Sequence, residues 1–189
     1  YGGGNLASVT TTNVYLQGGT AQNIYTGSNQ SGDVTVANLT TTLGNATNVY
    51  GGNNQGGTVT NTNVLINGAT ITNVFGGNNQ GGTTRETLVT VEKGTLDNVY
   101  GGGDKAVTGT TEVYIKGGEI TNLFGGGNEA ETTQTELYIK EGTIKSAYGG
   151  GNLASVTTTN VYLQGGRTEN IFAGSNQSGN VTMANLIAT

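Results

Sequence analysis

A chain of 189 residues with 35 glycines and no Pro, Cys, Trp or His has no disulfide scaffold and no thiolate metal site. Its net charge of -5, with no basic cluster, argues against nucleic acid as a partner, and no apolar run approaches the ~18 residues of a membrane-spanning helix. Only 10% of residues are charged while Val, Ile and Thr are plentiful, a balance that favours stacked strands over disorder.

An aromatic followed by small residues and an Asn or Asp recurs from the first residue onward. It falls at Tyr1, Tyr25, Tyr50, Phe75, Tyr100, Phe124, Tyr148 and Phe172, which gives spacings of 24, 25, 25, 25, 24, 24 and 24 residues. A fixed period of this size marks a solenoid. Within the coil from Tyr50 to Val74, Gly51-Gly52-Asn53-Asn54-Gln55-Gly56-Gly57 is a turn cluster. Thr58-Val59-Thr60-Asn61-Thr62 and Asn63-Val64-Leu65-Ile66-Asn67 then alternate as strands do, and Thr70–Val74 closes the coil after a bend at Gly68. Three short strands per coil are expected, with Thr suited to outward positions.

Columns read down the repeat sharpen this picture. Val14, Leu39, Val64, Val89, Val113, Leu137 and Val161 form one apolar column, and Ile24, Val49, Val74, Val99, Leu123, Ala147 and Ile171 another. Beside the second stand Asn23, Asn48, Asn73, Asn98, Asn122, Ser146 and Asn170, a column able to form amide ladders between coils. The bend column is Gly19, Gly44, Ala69, Gly94, Gly118, Gly142 and Gly166. The predicted fold is all-β: a single-chain parallel β-helix of nearly eight coils, ~35–40 Å long at the usual strand spacing. A right-handed coil is expected from precedent with parallel β-helices.

Residues 1–19 recur letter for letter as 148–166, and Gly27–Gly32 returns as Gly174–Gly179. The chain therefore reads as one continuous solenoid over 1–189, in which a six-coil block (1–147) begins to repeat at 148. It opens in the middle of a repeat, as expected of a segment of a longer array. Sixteen of the nineteen charged residues lie between Arg85 and Lys145, so the middle coils carry a distinct surface.

Candidate chemistry is sparse. Gly101-Gly102-Gly103-Asp104-Lys105 superficially resembles a phosphate loop but lacks Gly-Lys-Ser/Thr and a following helix. The corner residues Asn5, Asn29, Asn54, Asn79, Asp104, Asn128, Asn152 and Asn176 include one acid, too few for a calcium roll. Glu112 and Glu136 share a column one coil apart, a thin basis for carboxylate catalysis, so neither an enzyme nor a cofactor is expected. Tyr114, Tyr138 and Tyr162, with Tyr15 at the same position in the first coil, form an outward column able to meet sugar rings or a protein partner. Thr58, Thr60, Thr62, Thr110, Thr133 and Thr135 give fragments of an ice-binding array.

At its aromatic corner the chain resembles the β-helical passengers of bacterial surface proteins, autotransporters of the polymorphic outer-membrane type among them. Phe75-Gly76-Gly77-Asn78 matches their Phe-x-x-Asn motif, and Gly117-Gly118-Glu119-Ile120 is near their Gly-Gly-Ala-Ile. It is also similar to the Tyr-Gly-Gly-Gly-Asn repeats of large surface proteins from Gram-positive gut bacteria. The resemblance implies an extracellular or cell-surface structural and adhesive role. The expected partners are a second copy of the chain, a surface glycan or a host protein. The sequence thus anticipates a stiff rod with end-to-end assembly as a second structural version, a carbohydrate-binding module as the alternative, and ice binding as a further one.

Overall fold

A computed structural model describes residues 1–189. Six long strands come first: β1 (Val9–Tyr25), β2 (Val34–Tyr50), β3 (Thr58–Phe75), β4 (Thr83–Tyr100), β5 (Val107–Phe124) and β6 (Thr132–Tyr148). Three shorter ones follow: β7 (Val156–Leu163), β8 (Arg167–Phe172) and β9 (Val181–Ala188). All pairings are parallel, in the order β1-β2-β3-β4-β5-β6-β7-β9, with β8 also on β6. Away from the bend, residues pair with their equivalents one coil away: Val64 with Val89, Val89 with Val113, Val113 with Leu137 and Leu137 with Val161. At the bend the register slips in places, as where Asn67 pairs with Lys93 and Lys116 with Glu141. The chain is a parallel β-solenoid in which eight aromatic corners bound seven complete turns.

The expectation of three short strands per coil is corrected. Most coils carry one continuous strand of 17 or 18 residues, bent in the middle, because inter-coil pairing resumes within a few residues of the bend. The bend needs backbone that most side chains disfavour: Gly68 sits at φ 118° and Gly142 at φ 93°. Ala69, the one non-glycine in its column, is held at φ 151°.

Inward residues of successive coils fuse into one core of 21 buried side chains, with Val64, Ile66, Ile71 and Val74 supplying one coil's share. The aromatics make a second, separate cluster at the corner. Immediately after each ring the chain approaches the next coil closely. A Cβ on Gly101 would stand 2.1 Å from the Gly125 carbonyl, a contact that explains glycine there without any unusual φ.

Threonine is the second correction. Thr12, Thr62, Thr87, Thr111, Thr135 and Thr159 are buried rather than outward. From Thr62 onward each hydroxyl donates to a carbonyl just past the aromatic of the next corner, as in Thr62 to Gly76 and Thr111 to Gly125, both 2.6 Å. A buried hydroxyl needs such a partner, and a β-branched side chain that has one fits a strand interior. Thr12, in the first coil, has none.

Candidate functional surfaces: ladders of rings and amides

Stacking at one coil per step turns every repeated side chain into a ladder. At the corner, Tyr1, Tyr25, Tyr50, Phe75, Tyr100, Phe124, Tyr148 and Phe172 stack face to face at 4.7–5.1 Å between centroids, tilted by 5–11°. The five from Tyr25 to Phe124 are buried. Asn54 donates to the Tyr1 hydroxyl at 3.1 Å and Asn79 to that of Tyr25 at 3.3 Å, so these phenols reach two corners along the rod. Burial, then Asp104, pushes the Tyr100 phenol up to about 12.

Beside the rings runs the corner amide column. Asn29 donates to Asn5, Asn54 to Asn29 and Asn79 to Asn54; beyond the middle, Asn128 donates to Asp104, Asn152 to Asn128 and Asn176 to Asn152. Every step runs the same way, Nδ2 of one coil to Oδ1 of the coil before. Asp104 interrupts it: the carboxylate accepts from Asn128 at 2.7 Å but offers no N–H to Asn79. The corner oxygens that calcium would need are thus committed to neighbouring amides. The glycines of Gly101-Gly102-Gly103 lead through a short turn into β5, not into a helix, so the phosphate-loop geometry is absent.

The column before the aromatic forms its own ladder, with Asn48 donating to Asn23, Asn73 to Asn48, Asn98 to Asn73 and Asn122 to Asn98 at 2.8–2.9 Å. Ser146 ends it, and Asn170 turns to the Lys145 carbonyl at 3.4 Å.

Two further amide sets escaped the reading of the sequence. Asn13, Asn38 and Asn63 make a third ladder, and the column resumes where Asn160 donates to Glu136 and Asn185 to Asn160. Its signal was there to read, since Asn recurs at a spacing of 25. Asn53 and Asn78 are fully buried. Their Oδ1 atoms accept from Ser28 and Asn53 backbone N–H groups at 2.7 Å. Where Gly103 and Gly127 replace them, Thr108 and Thr132 hydroxyls serve the local backbone N–H.

Comparison of the chain with family models, with curated proteins and with solved structures gives no match. Its functional reading therefore rests on geometry and on the residues of the corner.

On the outer face of β5, β6 and β7, Tyr114, Tyr138 and Tyr162 stack at 4.6 Å and 4–5°. Their faces are turned to one another, so half-exposed edges and hydroxyls are what they present to solvent. Tyr15 stands alone in the first coil, strongly exposed. Burial, then Glu136, raises the Tyr138 phenol to about 12. Glu112 and Glu136 stack in the adjoining column: Glu112 accepts from Tyr114 at 3.3 Å, Glu136 from Gln134 at 2.9 Å and from Asn160 at 2.7 Å. Next to Glu112, a shallow groove of 520 Å³ is lined by Asn61, Asn63, Glu86, Leu88 and Thr110 among others. Of the six threonines considered for ice binding, Thr62 and Thr135 face inward, which leaves no regular exposed array.

Proposed function

We propose that this chain is a structural and adhesive segment of a bacterial cell-surface or extracellular repeat protein: a stiff rod that displays repeated side chains at fixed intervals. The observation that carries the reading is that corner rings and amides are bonded mainly to their own equivalents in neighbouring coils. Such ladders stiffen a rod along its axis and leave no enclosed pocket. Recognition would then come from many weak, equivalent contacts rather than a single site. Negative-stain microscopy across a range of concentrations tests it. Straight particles of uniform width, single or joined end to end, are expected; flexible or collapsed particles would overturn the rod. Accessibility of the segment to protease or antibody on intact cells tests the location.

A second reading, a carbohydrate-binding module, draws support from the outward Tyr114, Tyr138 and Tyr162 column and from the groove that Glu112 lines. Its 520 Å³ lies within the ~300–1,000 Å³ typical of ligand sites, and amides and carboxylates suit sugar hydroxyls. Because the tyrosine faces are stacked on one another, a glycan would meet ring edges and hydroxyls. Replacing Tyr114, Tyr138 and Tyr162 with Ser abolishes retention on a glycan array if this reading holds, and leaves it unchanged if the column serves only the rod.

A further inference from the structure

The outer face of β5–β7 carries an ordered charge pattern in which no acid and base form an ion pair. Along each strand the outward residues run acid, tyrosine, base: Glu112, Tyr114, Lys116 on β5 and Glu136, Tyr138, Lys140 on β6. On β7 the first two positions hold Asn160 and Tyr162, and Gln164 follows just past the strand end, a neutral version of the same order. Along the rod Glu112 stacks on Glu136 and Tyr114 on Tyr138, while at the bend the register slips and Lys116 pairs with Glu141. The face thus bears an acidic row, a ring row and a third row in which Lys116 and Lys140 stand with Glu141 beside them. Lys116 and Lys140 are exposed, and the Lys140 ammonium lies 5.4 Å from the Tyr114 ring centroid, on the ring side of its strand. The two ion pairs of the chain, Lys105–Glu129 and Arg167–Glu169, involve none of these rows. Below, in β4, the pattern stops: the equivalent positions are Leu88, Thr90 and Glu92.

We infer that this face is a docking surface for a second copy of the chain, with the two rods side by side and pointing the same way. The inference rests on the rod reading above. The orientation follows from symmetry. A two-fold axis parallel to the rod reverses the strand direction across the interface while keeping the rod direction. It sets Glu112 and Glu136 against the partner copy's Lys116 and Lys140, and the tyrosine edges against each other. A two-fold axis parallel to the strands instead sets Glu on Glu and Lys on Lys, and like charges face to face are strongly disfavoured. The concentration of charge in the middle coils thus acts as a register mark, because the neutral coils on either side carry nothing to fix the stagger of two rods.

Sedimentation of the full chain over a range of concentrations tests the association. A dimer is expected at low salt, and it should weaken as salt rises from about 0.05 M to about 0.5 M, where screening shortens to a few ångströms. Two charge-reversed proteins sharpen the test. Lys116→Glu with Lys140→Glu makes these four positions all acidic, and Glu112→Lys with Glu136→Lys makes them all basic. Each alone should lose self-association by at least about tenfold, and an equimolar mixture should restore it. Both pairs change outward side chains, and an unchanged circular-dichroism spectrum verifies that each protein folds. A wild-type chain that stays monomeric at every concentration, or a mixture that fails to pair, overturns the proposal, and so does a monomer whose tyrosine face is taken by a glycan. Microscopy of the same samples reports separately on the rod. Since the chain has no cysteine, direction is read by cross-linking. Tyr114→Cys should form a disulfide with itself across parallel rods. Cross-linking only between Tyr114→Cys and Tyr162→Cys would show antiparallel rods and overturn the assigned orientation.

Discussion

The corner ladder and the outer tyrosine ladder have nearly the same pitch, 4.7–5.1 Å against 4.6 Å, and nearly the same tilt, yet one is buried and the other half-exposed. Ring stacking therefore does not select for burial. The spacing is the spacing of parallel strands, which the backbone imposes on any side chain repeated once per coil. The corner tolerates Phe and Tyr in turn because an apolar ring is what it must bury. The outer column gives way to Thr40, Leu65 and Thr90 in three coils without a break in strand pairing. The corner ring holds the solenoid together, whereas the outer ring is free to serve contacts.

Truncation is the strongest way to break that comparison. Phe124→Ala removes a ring that is 2% exposed, and the loss should reach about 3–5 kcal/mol, as for other buried aromatics. Tyr138→Ala removes a ring stacked on two others at the surface and should cost about 1 kcal/mol. Hydrogen exchange of the β5–β7 amides is the suitable readout, because a repeat array opens locally and need not unfold in a single step. Equal losses at the two positions would mean that stacking, and not burial, governs both ladders.

The difference between the ladders was only partly legible in the sequence. The period and the alternation of Val64, Leu65 and Ile66 sufficed for the solenoid, because strand stacking makes every equivalent residue a neighbour. The same reasoning placed Tyr114, Tyr138 and Tyr162 outward and put Asn23 to Asn122 in one column. It could not tell that Thr62 and Thr111 point inward. Threonine is at home on either face of a strand, and what decides is a carbonyl of the next corner, a contact between residues 14 apart. Nor could it foresee that the Asn53 and Asn78 oxygens accept from backbone N–H groups while Asn54 and Asn79 beside them, also buried, join the amide ladder, since the turn that separates them is a tertiary feature. The bent 17- and 18-residue strands were hidden for a related reason: the bend glycines read as breaks when only the local chain is considered.

Alkaline titration sharpens the comparison from its chemical side. Tyr100 at the corner and Tyr138 on the outer face are both raised to about 12, each first by burial and next by one carboxylate, Asp104 in one case and Glu136 in the other. Between the ordinary phenol value of 10 and these raised ones, the folded chain holds protons that the unfolded chain has lost. Stability from this source is therefore complete below pH 10 and falls as the pH rises through about 12. Absorbance of phenolate follows it. Glu136→Gln should lower the Tyr138 midpoint and leave that of Tyr100 in place; a common shift of both would show that the two ladders are electrically coupled.

The smallest expected effect lies where the corner amide ladder is interrupted. Asp104 faces Asn79 on one side and Asn128 on the other, with Lys105 and Glu129 next to them and the Tyr50 and Tyr100 phenols close enough to feel its charge. Its carboxyl is raised above the ordinary 3.8, first by burial, against the hydrogen bond from Asn128, which lowers it. A protonated Asp104 could donate to the Asn79 oxygen and continue the ladder, as an amide does in every other coil; an ionised one cannot. The folded chain thus binds this proton more tightly than the unfolded chain. The stabilisation is complete below pH 3.8 and disappears as the pH rises through the raised value. Asp104→Asn supplies the missing N–H at every pH. It should stabilise the middle coils at neutral pH by about 1 kcal/mol, the worth of one hydrogen bond, and flatten the acid-side dependence of their stability. The phenols would register the same change, because the Tyr50 and Tyr100 midpoints should fall once the nearby charge is gone while Tyr138 stays where it was. If Asp104→Asn left both stability and the corner phenols unmoved, the amide column would be a consequence of the repeat with no energetic part in holding the corner.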